Sequence, residues 1–168
     1  MQKKKILIIG HKAHGKDTVA EILTQLYGFN YKSSSEMALD IFLMDRLKQV
    51  FGITSREEYY QRKEEVRAFM YQEILKYNTP DRAKLAKEIM TTNDIYVGMR
   101  DKHEIASCIN QGVFDLVIGV YNPGAELEGE ESFNIDVFEH SHVIIINDGK
   151  SFRNLRFKLS RLKTLFFK

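Results

Sequence analysis

Short apolar runs alternate with stretches of helical periodicity along the whole 168-residue chain. The apolar runs predict five strands, at residues 4–9, 29–32, 94–99, 114–121 and 142–147. Helical spacing of apolar residues predicts helices after residue 17, over 36–51, 55–78, 81–90 and 101–111, and from 150 onward. Strands interleaved with helices predict an α/β protein with three layers, in which a five-stranded parallel sheet is flanked by helices.

Composition and length narrow this prediction without changing it. The length favours one domain over residues 1–168, with a helical insert at about 36–92 and a lid-like loop at about 122–140. Hydrophobic content of 43%, charged content of 29% and a net charge of +2 are ordinary for a globular domain. The only cysteine, Cys108, excludes an internal disulfide and suits a reducing cytoplasm. No stretch approaches the roughly 20 apolar residues of a membrane span, so no membrane partner is expected.

Residues 10–16 read G-x-x-x-x-G-K between the first predicted strand and the first predicted helix. Gly10 and Gly15 permit backbone angles that point successive N–H groups at anionic oxygens, and the helix adds its positive dipole end. Lys16 would then reach the β- and γ-phosphates. This context favours a phosphate-binding loop over a chance glycine turn between two core elements. The predicted ATP-binding residues are Gly10, His11, Lys12, Ala13, His14, Gly15, Lys16, Asp17 and Thr18.

The residue after the lysine is an acid where a hydroxyl is usual. Asp17 occupies that position, and the hydroxyl follows at Thr18, where it could bond a phosphate oxygen. A carboxylate would repel phosphate unless a cation lies between them, so Asp17 is a predicted Mg²⁺ partner, directly or through water. The alternative is a helix cap without a metal. His11 and His14 are expected to be solvated loop residues.

A polar stripe runs along the predicted helix 55–78, whose start is marked by a capping box of Ser55 and Glu58. Such a stripe is typical of a solvated surface, but beside a phosphate loop it also suits an acceptor site. Arg100 follows the third strand, at the edge where parallel sheets bind ligands, and serines 33–35 either cap the next helix or face that ligand. The members of the stripe are Lys63, Arg67, Tyr71, Ile74 and Asn78.

Two regions of unbalanced charge leave alternatives open. The acidic segment, residues 122–140, is rich in Glu and Asp, has no arginine, and is either a mobile lid or an ordinary excursion. The C-terminal helix has a basic face opposite an apolar stripe. Packing on the sheet is the default for this helix, and contact with nucleic acid or a membrane surface is the weaker alternative. The stripe consists of Phe152, Leu155, Leu159, Leu162 and Phe166.

Three separated stretches, GHKAHGKDT, RAFMYQEILKYN and DIYVGMRDKHE, resemble the deoxynucleoside monophosphate kinases of bacteriophages, which have the P-loop nucleotide kinase fold. The resemblance spans residues 4 to about 147. It implies a sheet ordered 2-3-1-4-5 and transfer of the γ-phosphoryl group of ATP, with Mg²⁺, to a deoxynucleoside monophosphate. It also implies a cytoplasmic enzyme, located in the infected host cell if the chain is phage-encoded.

The resemblance assigns roles to residues. It implies Lys16, Arg67 and Arg100 as the catalytic cations. The chain departs from the family where Met70 stands in place of a common tryptophan, and where the acidic segment lacks the expected lid arginines. An acceptor that is already an ionised phosphate needs no catalytic base, so the absence of a catalytic triad is consistent with this chemistry. Together with the serine run, the resemblance places the acceptor on Ser35, Arg67, Tyr71, Asn78, Arg100 and Glu104, and Glu131 and Ser132 also match its pattern.

Two rival functions stay open at this point. One is a kinase of another small phosphorylated or hydroxylated metabolite. The other is a nucleotide-binding protein without phosphotransfer, which would touch DNA through the basic C-terminal helix and carry a Walker B carboxylate after a strand. Asp101 is the nearest candidate for that carboxylate. The accepted base, the sugar preference and the formation of a homodimer are also left open.

Overall fold

A parallel sheet organises the computed structural model, which describes residues 3–166. In that part of the chain five strands lie in the order β2-β3-β1-β4-β5, and every neighbouring pair is parallel. This confirms the predicted α/β fold and the strand order that the resemblance implies. The strands are β1 (Ile6–Ile9), β2 (Tyr31–Ser33), β3 (Ile95–Val97), β4 (Leu116–Tyr121) and β5 (Val143–Ile146).

Helices cover both faces of the sheet. The first, α1 (Lys16–Tyr27), follows β1 directly. The chain from β2 to β3 contains α2 (Ser34–Ala38), a π-helical turn (Leu39–Leu43), α3 (Met44–Phe51), α4 (Arg56–Gln61), α5 (Lys63–Tyr77) and α6 (Lys84–Ile89). The remaining helices are α7 (Lys102–Asn110), α8 (Val137–His140), α9 (Phe152–Ser160) and α10 (Lys163–Phe166).

The central strand β1 shows why the sequence forms a three-layer fold. All four of its residues are buried, because successive side chains point to opposite faces of a covered sheet. Ile6 and Ile8 join the core beneath α1 and α9, whereas Leu7 and Ile9 join the core beneath α6 and α7. A third core lies within the helices between β2 and β3. The carboxyl end of β1 is therefore fixed from both sides, and the phosphate loop begins there.

The predicted helix 36–51 is present, but its register is wrong. It begins two residues earlier, where the Ser33 hydroxyl accepts a hydrogen bond from the amide of Glu36. The π-helical turn then adds a residue to one turn and rotates the helix. As a result Leu39 and Leu43 are buried, while Ile41, which regular helical spacing groups with the other apolar residues of 36–51, is exposed.

The predicted helix 55–78 is two helices. The capping box holds, because the Ser55 hydroxyl accepts from the amide of Glu58. Arg62 leaves helical geometry between α4 and α5, and its guanidinium donates to the carbonyl oxygen of Phe51. This break allows Tyr59 and Val66, on either side of it, to enter the same core.

The predicted helix 81–90 is present, but it begins later than predicted. Threonine before a proline is a common helix start, but Thr79 does not cap this helix, because its hydroxyl donates back to the carbonyl of Leu75 at the end of α5. The helix begins only at Lys84, after the Asp81 carboxylate has accepted from the amide of Ala83.

The C-terminal helices pack on the sheet, which was the default prediction. Leu155, Leu159 and Phe166 belong to the core beneath α1. Phe152 does not, because its side chain is exposed. In residues 3–166 no helix is both long and apolar enough to cross a bilayer.

Candidate active site

The phosphate loop is held in shape by contacts with β4 and with Asn147, the residue that follows β5. Gly10 lies so close to β4 that an added Cβ atom would approach the carbonyl oxygen of Val120. Gly15 has φ of +93°, and an added Cβ atom there would collide with the side-chain amide of Asn147. That amide donates to the carbonyl oxygen of His14 at 3.0 Å. Only glycine satisfies both close approaches, so the loop is a preformed backbone cradle.

Lys16 is the first residue of α1 and is buried at the base of the cradle. Its Nζ atom donates to the carbonyl oxygen of His11 at 2.7 Å. The pKa of Lys16 is lowered to about 8, mainly by burial and to a smaller extent by the nearby Arg100. An anion in the cradle would favour the charged amine, because it would offset both effects.

Asp17 lies at the N-terminus of α1 and lines the cavity with its side chain exposed. Within the described residues no side chain caps this helix, so the alternative of Asp17 as a cap is wrong. Residues 3–166 contain no group of three or more His, Cys, Asp or Glu side chains arranged to hold a metal. A Mg²⁺ ion at Asp17 would therefore take its other oxygens from phosphate and water, which is how this ion is usually bound. Thr18 is half-buried on the same turn.

The prediction that His11 and His14 are solvated is wrong. His14 is fully buried, and its Nδ1 atom accepts from the amide of Asn122 at 3.2 Å. His11 packs against Phe133 with 4.3 Å between ring centroids and a tilt of 48°, and its Nδ1 atom accepts from the amide of Glu128 at 3.0 Å. Both rings face the acidic segment, because that segment folds back over the loop. The histidines therefore join the loop to the acidic segment.

A cavity of about 230 Å³ extends from the phosphate loop to the helices between β2 and β3. Lys16 and Asp17 line one end of it, and Tyr96 and Glu104 line the other. Four members of the predicted polar stripe, Lys63, Arg67, Tyr71 and Ile74, lie along its wall. The stripe therefore faces a cavity, which the sequence offered only as the second of two interpretations.

Two arginines, Arg67 and Arg100, line the cavity and form what we call the junction between its two ends. Arg100 Nη1 donates to the Glu128 carboxylate at 2.7 Å and to the carbonyl oxygen of Ser132 at 3.3 Å. Arg67 pairs with the exposed Glu64 at 2.8 Å, and its Nη1 lies 3.6 Å from Glu128. Its buried Nε atom has no hydrogen-bond partner among the described residues. The junction can therefore accept another anionic oxygen, as a phosphate-binding site must.

A buried acid lines the far end of the cavity. Glu104 accepts a hydrogen bond from the side-chain amide of Asn78 at 2.8 Å. Burial raises the pKa of Glu104 to about 7, although the Asn78 bond opposes the shift. A carboxyl group that is about half protonated near neutral pH can both donate and accept hydrogen bonds.

Asn78 and Asp101 do not line the cavity, and their hydrogen bonds stabilise the elements next to it. The Asn78 carbonyl group accepts from the buried amide of Leu85, so this residue joins the start of α6 to Glu104. Asp101 is buried and caps α7 by accepting from the amides of His103 and Glu104. These bonds commit the Asp101 carboxylate to the fold. Asn78, predicted to touch the acceptor, lies instead behind Glu104.

The serine run caps a helix, as one of its two predicted roles requires, and it also lines the cavity. Ser33 caps α2, Ser34 donates to the carbonyl oxygen of Gly98 at 3.1 Å, and all three serines line the cavity. Ser35 lies 3.2 Å from Ser33 between their hydroxyl oxygens. Met70 also lines the cavity, whereas Glu131 is exposed.

Sequence reasoning missed two residues of the site. Asn147 ends the predicted fifth strand, and a polar residue at the carboxyl end of a parallel strand is a signal that could have been used. Glu128 gives no such signal, because it is one of several acids in a segment without regular spacing. Only the fold brings its carboxylate to Arg100.

Known structures share this fold at low sequence identity. The shikimate kinase from Acinetobacter baumannii, solved in complex with shikimate, aligns at 15% identity over 96% of this chain and 93% of its own, with a TM-score of 0.50. The enzymes from Aquifex aeolicus and Bacteroides thetaiotaomicron align at 10% and 11% identity over at least 94% of every chain, each with a TM-score of 0.50. No protein-family model and no curated protein matches the sequence. At these identities the likeness shows a P-loop kinase fold.

Proposed function

We propose that this protein transfers the γ-phosphoryl group of ATP to a deoxynucleoside monophosphate and produces the diphosphate. One observation carries the proposal: a single cavity is lined by the phosphate loop, by Arg67 and Arg100, and by the buried Glu104. A donor phosphate chain and an acceptor phosphate would meet at the arginines. Holding two reactants in line is the main requirement of phosphoryl transfer.

The residues of the cradle hold the donor. Backbone amides of residues 11–16 and the N-terminus of α1 face the phosphates, and Lys16 reaches the transferred group from the base of the loop. Asp17 would hold Mg²⁺, which neutralises charge that develops on the phosphates. Arg100 and Arg67 stabilise the equatorial oxygens of the transferred group and orient the acceptor phosphate. The acceptor oxygen is already ionised, so no proton has to be removed.

The far end suits a neutral ring better than a second charged group. Met70, Tyr71, Ile74 and Tyr96 surround it, and Glu104 and Ser34 offer polar atoms there. Flat heterocycles pack well against such apolar and aromatic side chains, while a few polar groups fix their orientation. A nucleobase attached to the acceptor phosphate has both properties.

The rival functions lose some of their support. A nucleotide-binding protein that hydrolyses ATP needs a carboxylate near the phosphates to position water or metal, and Asp101 is used as the cap of α7. Contact with DNA through the C-terminal helices has only their basic side chains in its favour. A kinase of another small metabolite shares the cradle and is separated by its acceptor. The cytoplasmic location and the phage source stay predictions from the resemblance.

The proposal is tested by measuring ADP formation from ATP and Mg²⁺ with each deoxynucleoside and ribonucleoside monophosphate in turn. We expect at least one deoxynucleoside monophosphate to raise the rate far above that without acceptor. Shikimate and simple sugars serve as the competing acceptors. Activity with one of these and none with any nucleotide would refute the nucleotide assignment, and no activity with any acceptor would refute the kinase.

A further inference from the structure

The acidic segment places one carboxylate inside the predicted phosphate site. Glu128 Oε2 accepts from the backbone amide of Lys12, in the phosphate loop, at 2.6 Å. Its Oε1 accepts from Arg100 at 2.7 Å and lies 3.6 Å from Arg67. One carboxylate therefore accepts hydrogen bonds from a loop amide and from Arg100, and it also forms an ion pair with Arg67.

Burial within the acidic segment is selective. The Glu128 side chain is 11% exposed, whereas Glu126, Glu130, Glu131, Asp136 and Glu139 are exposed residues. Burial alone would raise the pKa of Glu128, but Arg100 and the Lys12 amide outweigh it and lower the pKa. Glu128 is thus held in its charged form among cations that no other acid of the segment reaches.

The donors that Glu128 occupies are those a phosphate would need. Carboxylate and phosphate accept guanidinium and amide hydrogen bonds in the same way, so the two groups compete for the same N–H donors. The phosphate loop also holds the segment in place, since His11 accepts from the Glu128 amide and His14 accepts from the Asn122 amide. The loop therefore cannot fill with phosphate while all of these contacts persist.

We propose that Glu128 is an internal competitor for the transferred phosphoryl group, and that polyphosphate must displace its carboxylate before it can bind fully. This inference rests on the proposed function only in placing phosphate at Arg67 and Arg100. The apparent affinity for a polyphosphate is then reduced by the fraction of molecules in which Glu128 is bound. The segment in which the resemblance implies lid arginines thus supplies a negative charge to the predicted phosphate site.

The test compares wild-type protein with Glu128→Gln and Glu130→Gln by calorimetric titration with inorganic tripolyphosphate. Gln keeps the shape of Glu128 but is a poorer mimic of phosphate, so we expect E128Q to bind about tenfold more tightly than wild type. E130Q removes the same charge from an exposed position of the same segment and should bind like wild type. Equal affinities of wild type and E128Q, weaker binding by E128Q, or an equal gain in E130Q would each overturn the proposal.

Hydrogen exchange of residues 122–132 gives a second readout that does not depend on the variants. In wild type, exchange of this segment should accelerate when tripolyphosphate is added, because the ligand displaces Glu128. Slower exchange would overturn the proposal, since the segment would then be closing over the ligand.

The result separates this inference from the proposed function. If E128Q gains affinity but no nucleoside monophosphate is phosphorylated, the competitor stands and the acceptor assignment fails. If a nucleoside monophosphate is phosphorylated and E128Q binds like wild type, the function stands and the competitor fails.

Discussion

The two ends of the cavity bury opposite charges, and each burial moves a pKa toward neutrality. At the phosphate loop burial lowers the pKa of Lys16 to about 8, and at the far end burial raises the pKa of Glu104 to about 7. The surroundings differ. Arg100 and Arg67 add positive charge near Lys16, and Glu128 offsets it, whereas Asn78 donates a neutral hydrogen bond to Glu104.

This difference indicates which ligand group belongs at each end. A cluster of three cations, in which Glu128 is the carboxylate partner of Arg100, suits an incoming polyanion. A carboxyl group near its midpoint, among apolar walls, suits a neutral ring that can exchange hydrogen bonds with it. The cavity is therefore polarised along its length, in the sense that a nucleotide with its phosphate at the loop end would require.

The largest effect is expected at the loop end. Replacing Lys16 by Ala should lower turnover by about 10³-fold, because the cation that stabilises the transferred group is removed. The fold should be unchanged, as measured by circular dichroism and thermal unfolding, since the glycine contacts that shape the loop remain. Lys48→Ala, at an exposed position of α3, is the matched control. Near-normal turnover in K16A would remove the proposed mechanism.

A smaller effect is expected at the junction. Arg100→Ala should lower kcat/KM for the acceptor by about 10- to 100-fold, which is the usual cost of losing a charge-assisted hydrogen bond. Binding of ATP, measured by calorimetry, should change less. The exposed Arg153 of α9 provides the control variant, R153A. Loss of ATP binding with normal use of the acceptor would reverse the assignment of the two ends.

The smallest effect concerns stability at the far end. The pKa of Glu104 is raised from 4.5 to about 7 in the folded protein, so between these values the folded state holds a proton that the unfolded chain has lost. Its contribution to stability therefore falls as pH rises through this range, and the cost is complete above pH 7. Glu104→Gln cannot ionise and should unfold several degrees above wild type at pH 8, for a gain of about 1–3 kcal/mol.

At pH 4.5 the same two proteins should unfold at nearly the same temperature, because Glu104 is then neutral in the folded protein and only about half ionised in the unfolded chain, so little of the cost remains. Glu21→Gln, at an exposed position of α1, controls for the loss of one charge. An equal difference between E104Q and wild type at both pH values would show that Glu104 does not titrate as inferred.

The sequence predicts the fold well because the fold depends on local patterns. Four apolar residues in β1 and a glycine loop before α1 are enough to place the cradle at the carboxyl end of a covered strand. Helix register is harder to predict, as Ile41 shows. A π-helical turn changes which side chains are buried, and no local pattern signals that extra residue.

The site is predictable only in part, because some of its residues meet through tertiary contacts. The stripe that contains Arg67 and Tyr71 can be read from helical spacing, although its cavity cannot. Glu128 lies 28 positions after Arg100, and His11, which accepts from its amide, lies 117 positions before it. Asn78 has the composition of a ligand contact, yet its amide is used by the fold.

The contact between Gly15 and Asn147 has a consequence for how the cradle is made. Asn147 follows β5, the outermost strand on its side, and its amide abuts Gly15, where an added Cβ atom would collide with it. The edge of the sheet therefore helps to set the conformation of the phosphate loop, and it does so without a ligand. A ligand would bind to a preorganised backbone, because the entropic cost of ordering that backbone is met during folding.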